Sequence, residues 1–179
     1  ICLNTGLRIG EICALKWMDI SAEEKITQIR KTMQRIQCRN TEPPKTTILI
    51  SSPKSSCFIR SIPIPDELSC MLIKYRESDE SFFLTGKENY FMEPRSLQNR
   101  FKAITAACGI SEANFHSLRH TFATRCVELG FDLKSLSEIL GHANVNITLN
   151  RYVHPSLEQK RRNMNLLSVY LTADKLTER

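Results

Sequence analysis

Phe58-Ile59-Arg60-Ser61-Ile62-Pro63-Ile64-Pro65-Asp66 is where the chain changes period. Phe58, Arg60, Ile62 and Ile64 alternate with Ile59 and Ser61, which is the two-residue repeat of a strand, and the prolines close it. Upstream, Lys25 to Ile36 is rich in Ile, Thr and Gln, and Thr46 to Ser51 follows a polar loop, Gln37 to Lys45, that carries Pro43-Pro44. Both spans predict strands. Lys54 then falls at the turn that joins the second strand to the third. Beyond Pro65 the repeat is helical, with helices expected over Asp66 to Arg76, Pro94 to Cys108, His116 to Leu129, Leu133 to Leu140, Asn146 to Tyr152 and Ser156 to Leu171. Asp132 suits the N-cap of the fourth of these, and Gly141 suits its C-terminal stop. Ahead of the strands, Leu7, Ile12 and Leu15 predict one helix from Thr5 to Trp17, with Arg8 and Glu11 one turn apart on one face. Only Phe82 to Leu84 hints at a further extended piece. The order predicts an α+β fold: a mainly helical domain with a small three-stranded antiparallel sheet.

At 179 residues, 41% hydrophobic and 25% charged, the chain has the make-up of one soluble globular domain with a sizeable core. No apolar run approaches the roughly 18 residues needed to cross a bilayer, so no membrane partner is expected. Seven cysteines (Cys2, Cys13, Cys38, Cys57, Cys70, Cys108 and Cys126) are scattered without a C-x-x-C pair. They read as reduced, mostly buried thiols of an intracellular protein. The net charge of +6 makes a polyanionic partner electrostatically plausible, although charge alone selects none. The opening Ile1-Cys2-Leu3-Asn4-Thr5-Gly6 reads like the middle of a domain, and the chain is expected to be a fragment of a longer protein.

The densest polar cluster is His116-Ser117-Leu118-Arg119-His120, which opens a helix whose expected apolar stripe is Phe115, Leu118, Phe122, Cys126 and Leu129. His116 and Arg119 stand one turn apart beside that stripe. An isolated H-x-x-R is ordinarily a capping histidine and a solvated arginine. His116 and His120 have the spacing to share a metal ion, but the zinc-protease pattern needs Glu after the first His, and Ser117 stands there. No metal is expected. Neither G-x-x-x-x-G-K-[ST] nor G-x-G-x-x-G occurs, so no phosphate cradle for a nucleotide cofactor is present, and no cofactor or small-molecule substrate is expected.

The cluster gains meaning from its company. Leu140-Gly141-His142 precedes Tyr152 by ten residues, in a run that ends Arg151-Tyr152-Val153-His154-Pro155. Thr5-Gly6-Leu7-Arg8-Ile9-Gly10-Glu11 lies near the start, and Pro53-Lys54-Ser55 is followed by Arg60-Ser61-Ile62-Pro63. These segments, with His116-Ser117-Leu118-Arg119-His120-Thr121-Phe122-Ala123-Thr124, resemble in content and order the tyrosine recombinases, in the branch of phage and conjugative-transposon integrases. The resemblance runs from Thr5 to about Pro155. It implies a catalytic domain over 1–179 without its N-terminal core-binding domain, and a tail helix within 156–179.

The same resemblance implies roles. Arg8 and Arg119 would be the paired active-site arginines, Lys54 the β-hairpin lysine, His116 and His142 the two histidines, Tyr152 the nucleophile, and Glu11 the acidic residue that supports the site. The Pro-Lys-Ser and Arg-x-Ile-Pro spacing selects Lys54 over Lys45. His120 and His154 are left as structural or accessory. The chemistry suits these residue types. A phosphodiester repels nucleophiles, and its transition state gathers charge on the equatorial oxygens. Arginine offers a permanently charged planar fork that binds two such oxygens, and a phenol nucleophile near pKa 10 needs a base, for which His116 is the matched residue.

The resemblance implies double-stranded DNA attachment sites and further copies of the chain as partners, as a tetramer on DNA whose tail helices dock in trans, in the bacterial cytoplasm; packing of the tail helix on its own domain stands beside that docking. Two other readings stand beside this one: a type IB topoisomerase, which shares the chemistry but relaxes supercoils, and a DNA-binding domain with a silent site.

Overall fold

The computed structural model describes residues 1–38, 45–52, 59–152 and 157–177. Two short helices, α1 (Cys2–Thr5) and α2 (Ile9–Ala14), lead through a 3-10 turn at Trp17–Asp19 into five strands: β1 (Ile20–Ser21), β2 (Ile26–Ile29), β3 (Thr32–Gln37), β4 (Thr46–Ser51) and β5 (Arg60–Pro63). Six helices follow: α3 (Asp66–Ile73), α4 (Pro94–Ala107), α5 (Phe115–Glu128), α6 (Leu133–Leu140), α7 (Val145–Tyr152) and α8 (Leu157–Thr177). The α+β class expected from the sequence is what forms.

The small sheet is built differently from its expected plan. The span from Lys25 to Ile36 is two strands, interrupted at Arg30 and Lys31, and each half pairs elsewhere. β2 is central in a three-stranded antiparallel sheet, order β1-β2-β5, with Thr27 opposite Ile62. β3 and β4 make a separate two-stranded ribbon in which Met33 faces Ile50. β4 and β5, between which Lys54 falls, therefore belong to different sheets. Phe82 makes only an isolated bridge to Lys16.

The expected helix from Thr5 to Trp17 is also broken. α1 stops at Gly6, whose φ of 63° lies in the left-handed region, and a side chain there would place its Cβ 2.5 Å from the Phe122 ring. Glycine is thus required for conformation and for the close approach of α5. Arg8 is extended (φ −73°, ψ 152°) and caps α2. It stands outside the helix on which the sequence places it.

Two apolar clusters hold these elements. The larger contains Leu7, Ile12, Trp17, Ile29, Met33, Ile62, Phe82 and Phe115. The smaller contains Ala123, Cys126, Leu136 and Leu140, with Phe122, Val127 and Tyr152 against it. Leu136 and Leu140 are fully buried, each worth about 1.5–3 kcal/mol. α5 spans both clusters, because its inward face is Phe115, Arg119, Ala123 and Cys126. Leu129, expected on that stripe, is instead solvent-exposed, and Arg119 stands in the middle of it. The charge at this seam between the clusters is where the candidate site forms.

Candidate active site

α6 begins and ends as its local chemistry dictates. Asp132 accepts from the Ser135 N–H at 2.8 Å, and Gly141 closes the helix at φ 62°. The last carbonyls of a helix have no partner within it and carry the negative end of its dipole. Here three consecutive carbonyls each receive an arginine from a different part of the chain. Arg60 Nε donates to Ile139 O at 2.6 Å, Arg119 Nη2 to Leu140 O at 2.7 Å, and Arg8 Nη2 to Gly141 O at 2.9 Å. Arg119 Nη1 also donates to Gly6 O at 2.7 Å, tying the α1–α2 turn to the same place.

Among the described residues, Glu11 is the carboxylate that pairs with Arg8 and Arg60. Its Oε2 accepts from the Arg8 backbone N–H at 2.8 Å, and its Oε1 accepts from Arg8 Nη1 at 3.0 Å. Burial alone would raise the Glu11 carboxyl, but the hydrogen bonds and charges of Arg60 and Arg8 outweigh it and hold it below the usual carboxylate range. A buried charge survives only when paired in this way. Burial, with the charge of Arg8 next, lowers the Arg119 guanidinium to about 10, so it is still a cation at neutral pH.

His142 follows directly on the arginine-bound turn. Burial first, then the charges of Arg119, Arg8, Arg151 and Arg60, push it down to about 4, so at pH 7 the ring is neutral. Its Nε2 lies 3.0 Å from Arg119 Nη2, and arginine has no acceptor, so Nε2 presents its lone pair. The ring proton is therefore on Nδ1, which donates to the buried Thr148 hydroxyl at 2.8 Å. In this arrangement His142 turns its N–H away from the arginines. Donation to a phosphate oxygen from Nε2 would require that nitrogen to gain a proton.

A stability consequence follows. The folded pKa of His142 lies below the unfolded value of 6.5, so the native state binds fewer protons, and this contribution is complete above about pH 6.5 and is lost as pH falls toward 4. His116 and His120 are lowered too, in each case by burial first. Glu11, lowered from 4.5, adds its own loss only below that value. The urea unfolding midpoint is expected to drop between pH 6.5 and 4.5, and His142→Gln is expected to flatten that drop; an unchanged slope would show that this ring is protonated alike in both states.

Three rings form a file toward Tyr152. His116 and His120 meet edge to face with centroids 4.5 Å apart, and His120 lies 5.6 Å from the Tyr152 ring. The ring next to Tyr152 is thus His120, which the sequence left as accessory. Tyr152 packs on the smaller cluster, and its hydroxyl is buried without a hydrogen-bond partner among the described residues.

The structure therefore brings together Arg8, Glu11, Arg119 and His142, and sets His116 and Tyr152 along the adjoining file. Lys54 and His154 lie outside the described residues. Arg60 is the member that the sequence reading missed. Its signal was present: it shares the strand phase of Ile62 and Ile64, both buried, and a charge in that phase has to find a buried partner. Among the described residues no cluster of three or more His, Cys, Asp or Glu side chains is placed to hold a metal ion, and no helix is long and apolar enough to cross a membrane. What the arrangement offers is a set of fixed guanidinium cations beside a tyrosine and neutral imidazoles, which suits an anionic group such as a phosphodiester.

Comparison with known proteins agrees with this chemistry. The model of the phage integrase family matches residues 1–159. A tyrosine recombinase XerC-like protein of Caldanaerobacter subterraneus subsp. tengcongensis is 30% identical over 177 residues, covering 89% of this chain and 45% of that protein. The transposase of transposon Tn916 from Enterococcus faecalis is 27% identical over 185 residues, covering 94% of this chain and 44% of that protein. Among solved structures, the Tn1549 transposon integrase in complex with circular intermediate DNA superposes with a TM-score of 0.72 at 29% identity, covering 93% of this chain and 57% of that one. The chain thus spans less than half the length of the two curated relatives.

Proposed function

Because the chain belongs to the phage integrase family of tyrosine recombinases, we propose that it is the strand-cutting domain of a site-specific DNA recombinase that integrates or excises a mobile element. The observation that carries this reading is the meeting of Arg8 and Arg119 on successive carbonyls of one turn, beside His142 and the file that ends at Tyr152. In the proposed reaction Tyr152 attacks the scissile phosphate and forms a 3′-phosphotyrosine bond. The bond to the 5′ oxygen breaks, and a 5′ hydroxyl leaves. His116, held toward its neutral form by burial and by nearby positive groups, takes the phenol proton. Lys54 gives a proton to the leaving 5′ oxygen, and the two arginines carry the charge of the transition state. Glu11 holds Arg8 in place. The phosphotyrosine conserves the energy of the broken bond, so a second DNA end can reclaim the phosphate without ATP.

Strand exchange is favoured over supercoil relaxation because the relatives carry the names of recombinases and transposases. The Tn1549 integrase was captured in complex with circular intermediate DNA, which supports DNA as the partner here, and the bacterial sources of the relatives support a reaction in the bacterial cytoplasm. The relatives are more than twice as long as this chain, consistent with a core-binding domain ahead of residues 1–179 in the intact protein. The direct test is trapping: the intact protein is incubated with a nicked duplex carrying the ends of its own element and run on a denaturing gel. A metal-independent covalent adduct is expected. Tight binding of that DNA with no adduct would favour the silent DNA-binding reading.

The tail supports assembly on DNA. Leu157, Met164, Leu166 and Leu167 of α8 are all exposed, and a groove between α1, β5, α5 and α6 leaves Leu3, Leu129 and Phe131 exposed as well. Such unpartnered apolar surface calls for a cover, and in this proposal the tail of one copy covers the groove of the next within a tetramer. Deleting residues 157–177 is expected to leave binding to a single half-site within about threefold while abolishing recombination between two sites. Recombination at the undiminished rate would remove α8 from the assembly.

A further inference from the structure

Arg60 commits all three of its guanidinium nitrogens to the protein. Its Nη1 and Nη2 donate to the two oxygens of Glu11, each at 2.9 Å, while Nε donates to Ile139 O at 2.6 Å. Its side chain is 7% exposed, against 30% for Arg8. The turn is shaped around it. A Cβ on Gly141 would lie 2.9 Å from Arg60 Nη1, so the left-handed glycine that ends α6 also makes room for this guanidinium. Its charge reaches the rest of the site, since after burial and nearer groups it is among the influences that lower both Arg119 and His142.

The charge balance gives that contact a purpose. Glu11 sits between two guanidiniums, Arg8 and Arg60, and it bonds the second through both of its oxygens. Without Arg60 the carboxylate would pair with Arg8 alone and cancel most of the field that Arg8 directs at an incoming anion. With Arg60 in place, the negative charge is already matched from behind. A buried ion pair is in itself weak support for stability, and an apolar pair of similar volume would often serve as well. Resting on the recombinase reading above, we propose that Arg60 is a positioning residue for the scissile phosphate: it takes up the charge of Glu11 so that Arg8 keeps its own for the DNA, and it anchors the turn whose next two carbonyls orient Arg119 and Arg8.

The test uses the intact protein and a nicked duplex carrying the ends of its element, made with either a normal phosphodiester or a methylphosphonate at the scissile position. The methyl group replaces one non-bridging oxygen and removes the negative charge that the arginines must answer. Single-turnover adduct formation is compared for the wild type, the neutral variants Arg60→Met and Arg60→Gln, and the charge-keeping Arg60→Lys. Arg60→Met and Arg60→Gln are expected to slow adduct formation about 10²-fold on the phosphodiester but less than about tenfold on the methylphosphonate. Arg60→Lys retains the charge without the fork, so its loss should be the same on both substrates. The ratio of rates on the two substrates does not depend on what fraction of a variant is folded, so instability alone cannot produce the expected pattern. Equal losses on both substrates for the neutral variants, or no loss on either, would overturn the role. Absence of any adduct with the wild type would instead remove the recombinase reading, and this proposal with it.

Discussion

Tyr152→Phe is expected to abolish the covalent DNA adduct while leaving the fold as stable as before or more so. The loss follows from the proposed chemistry: in that reaction the phenol oxygen is the atom that bonds to phosphorus, and removing a nucleophile of this kind costs on the order of 10⁶ in rate, beyond what a gel detects. The stability effect follows from packing. The Tyr152 ring lies on Ala123, Cys126, Leu136 and Leu140, which a phenylalanine ring fills equally well, and the hydroxyl is buried with no hydrogen-bond partner among the described residues. An unsatisfied buried hydroxyl costs about 1–3 kcal/mol, so removing it should raise the unfolding free energy by about 1 kcal/mol. Few substitutions improve a fold while destroying its activity, and those that do mark a group held in an unfavourable place for function. Trapping on nicked DNA with peptide mapping reads the first effect, and urea unfolding of the same preparations reads the second. An adduct that persists in Tyr152→Phe would place the nucleophile elsewhere. A clear loss of stability would mean that the hydroxyl is bonded in solution, and that the tyrosine is at rest where it lies.

What the sequence conveyed about this molecule was its local chemistry. The ends of α6 were legible because Asp132 and Gly141 act on backbone within three or four residues of themselves. The strand at Arg60–Pro63 was legible from alternation, and the helices after Pro65 from their repeat. Failures came where a distant partner decides. The helix expected over Thr5 to Trp17 breaks at Gly6, where Phe122 presses on the turn and Arg119, 113 residues away in sequence, takes its carbonyl. The span from Lys25 to Ile36 has uniform strand composition, yet its halves join different sheets, a choice made by Ile62 and Ile50 rather than by anything in the span. Arg8, Arg119, His142 and Tyr152 were found through a family resemblance and not through their surroundings. Arg60 shows the cost of that route: the resemblance used it only to fix the register of Lys54, while its contact with Glu11 spans 49 residues.

Arg119→Lys is expected to reduce adduct formation by about 10²–10³-fold, although it keeps the positive charge. Arg119 is 2% exposed and serves three acceptors at once: Gly6 O, Leu140 O and His142 Nε2. Those bonds use three of the five N–H donors of its guanidinium. An ammonium group has three donors at a single point, so a lysine that reaches either carbonyl abandons the other and has no fork to offer the phosphate. One buried carbonyl left without a donor costs about 1–3 kcal/mol, and the urea midpoint should fall accordingly. DNA affinity should change less than about tenfold, because phosphate contacts over a whole attachment site are shared among many cations. The two readouts separate the roles of the residue. If, once the folded fraction is allowed for, Arg119→Lys cleaves at the wild-type rate, the fork exists to join the α1–α2 turn to α6 and has no part in holding the phosphate. A rate loss that exceeds the loss of folded protein places the guanidinium on the reacting group, because a lysine carries the same charge and differs only in how its donors are arranged.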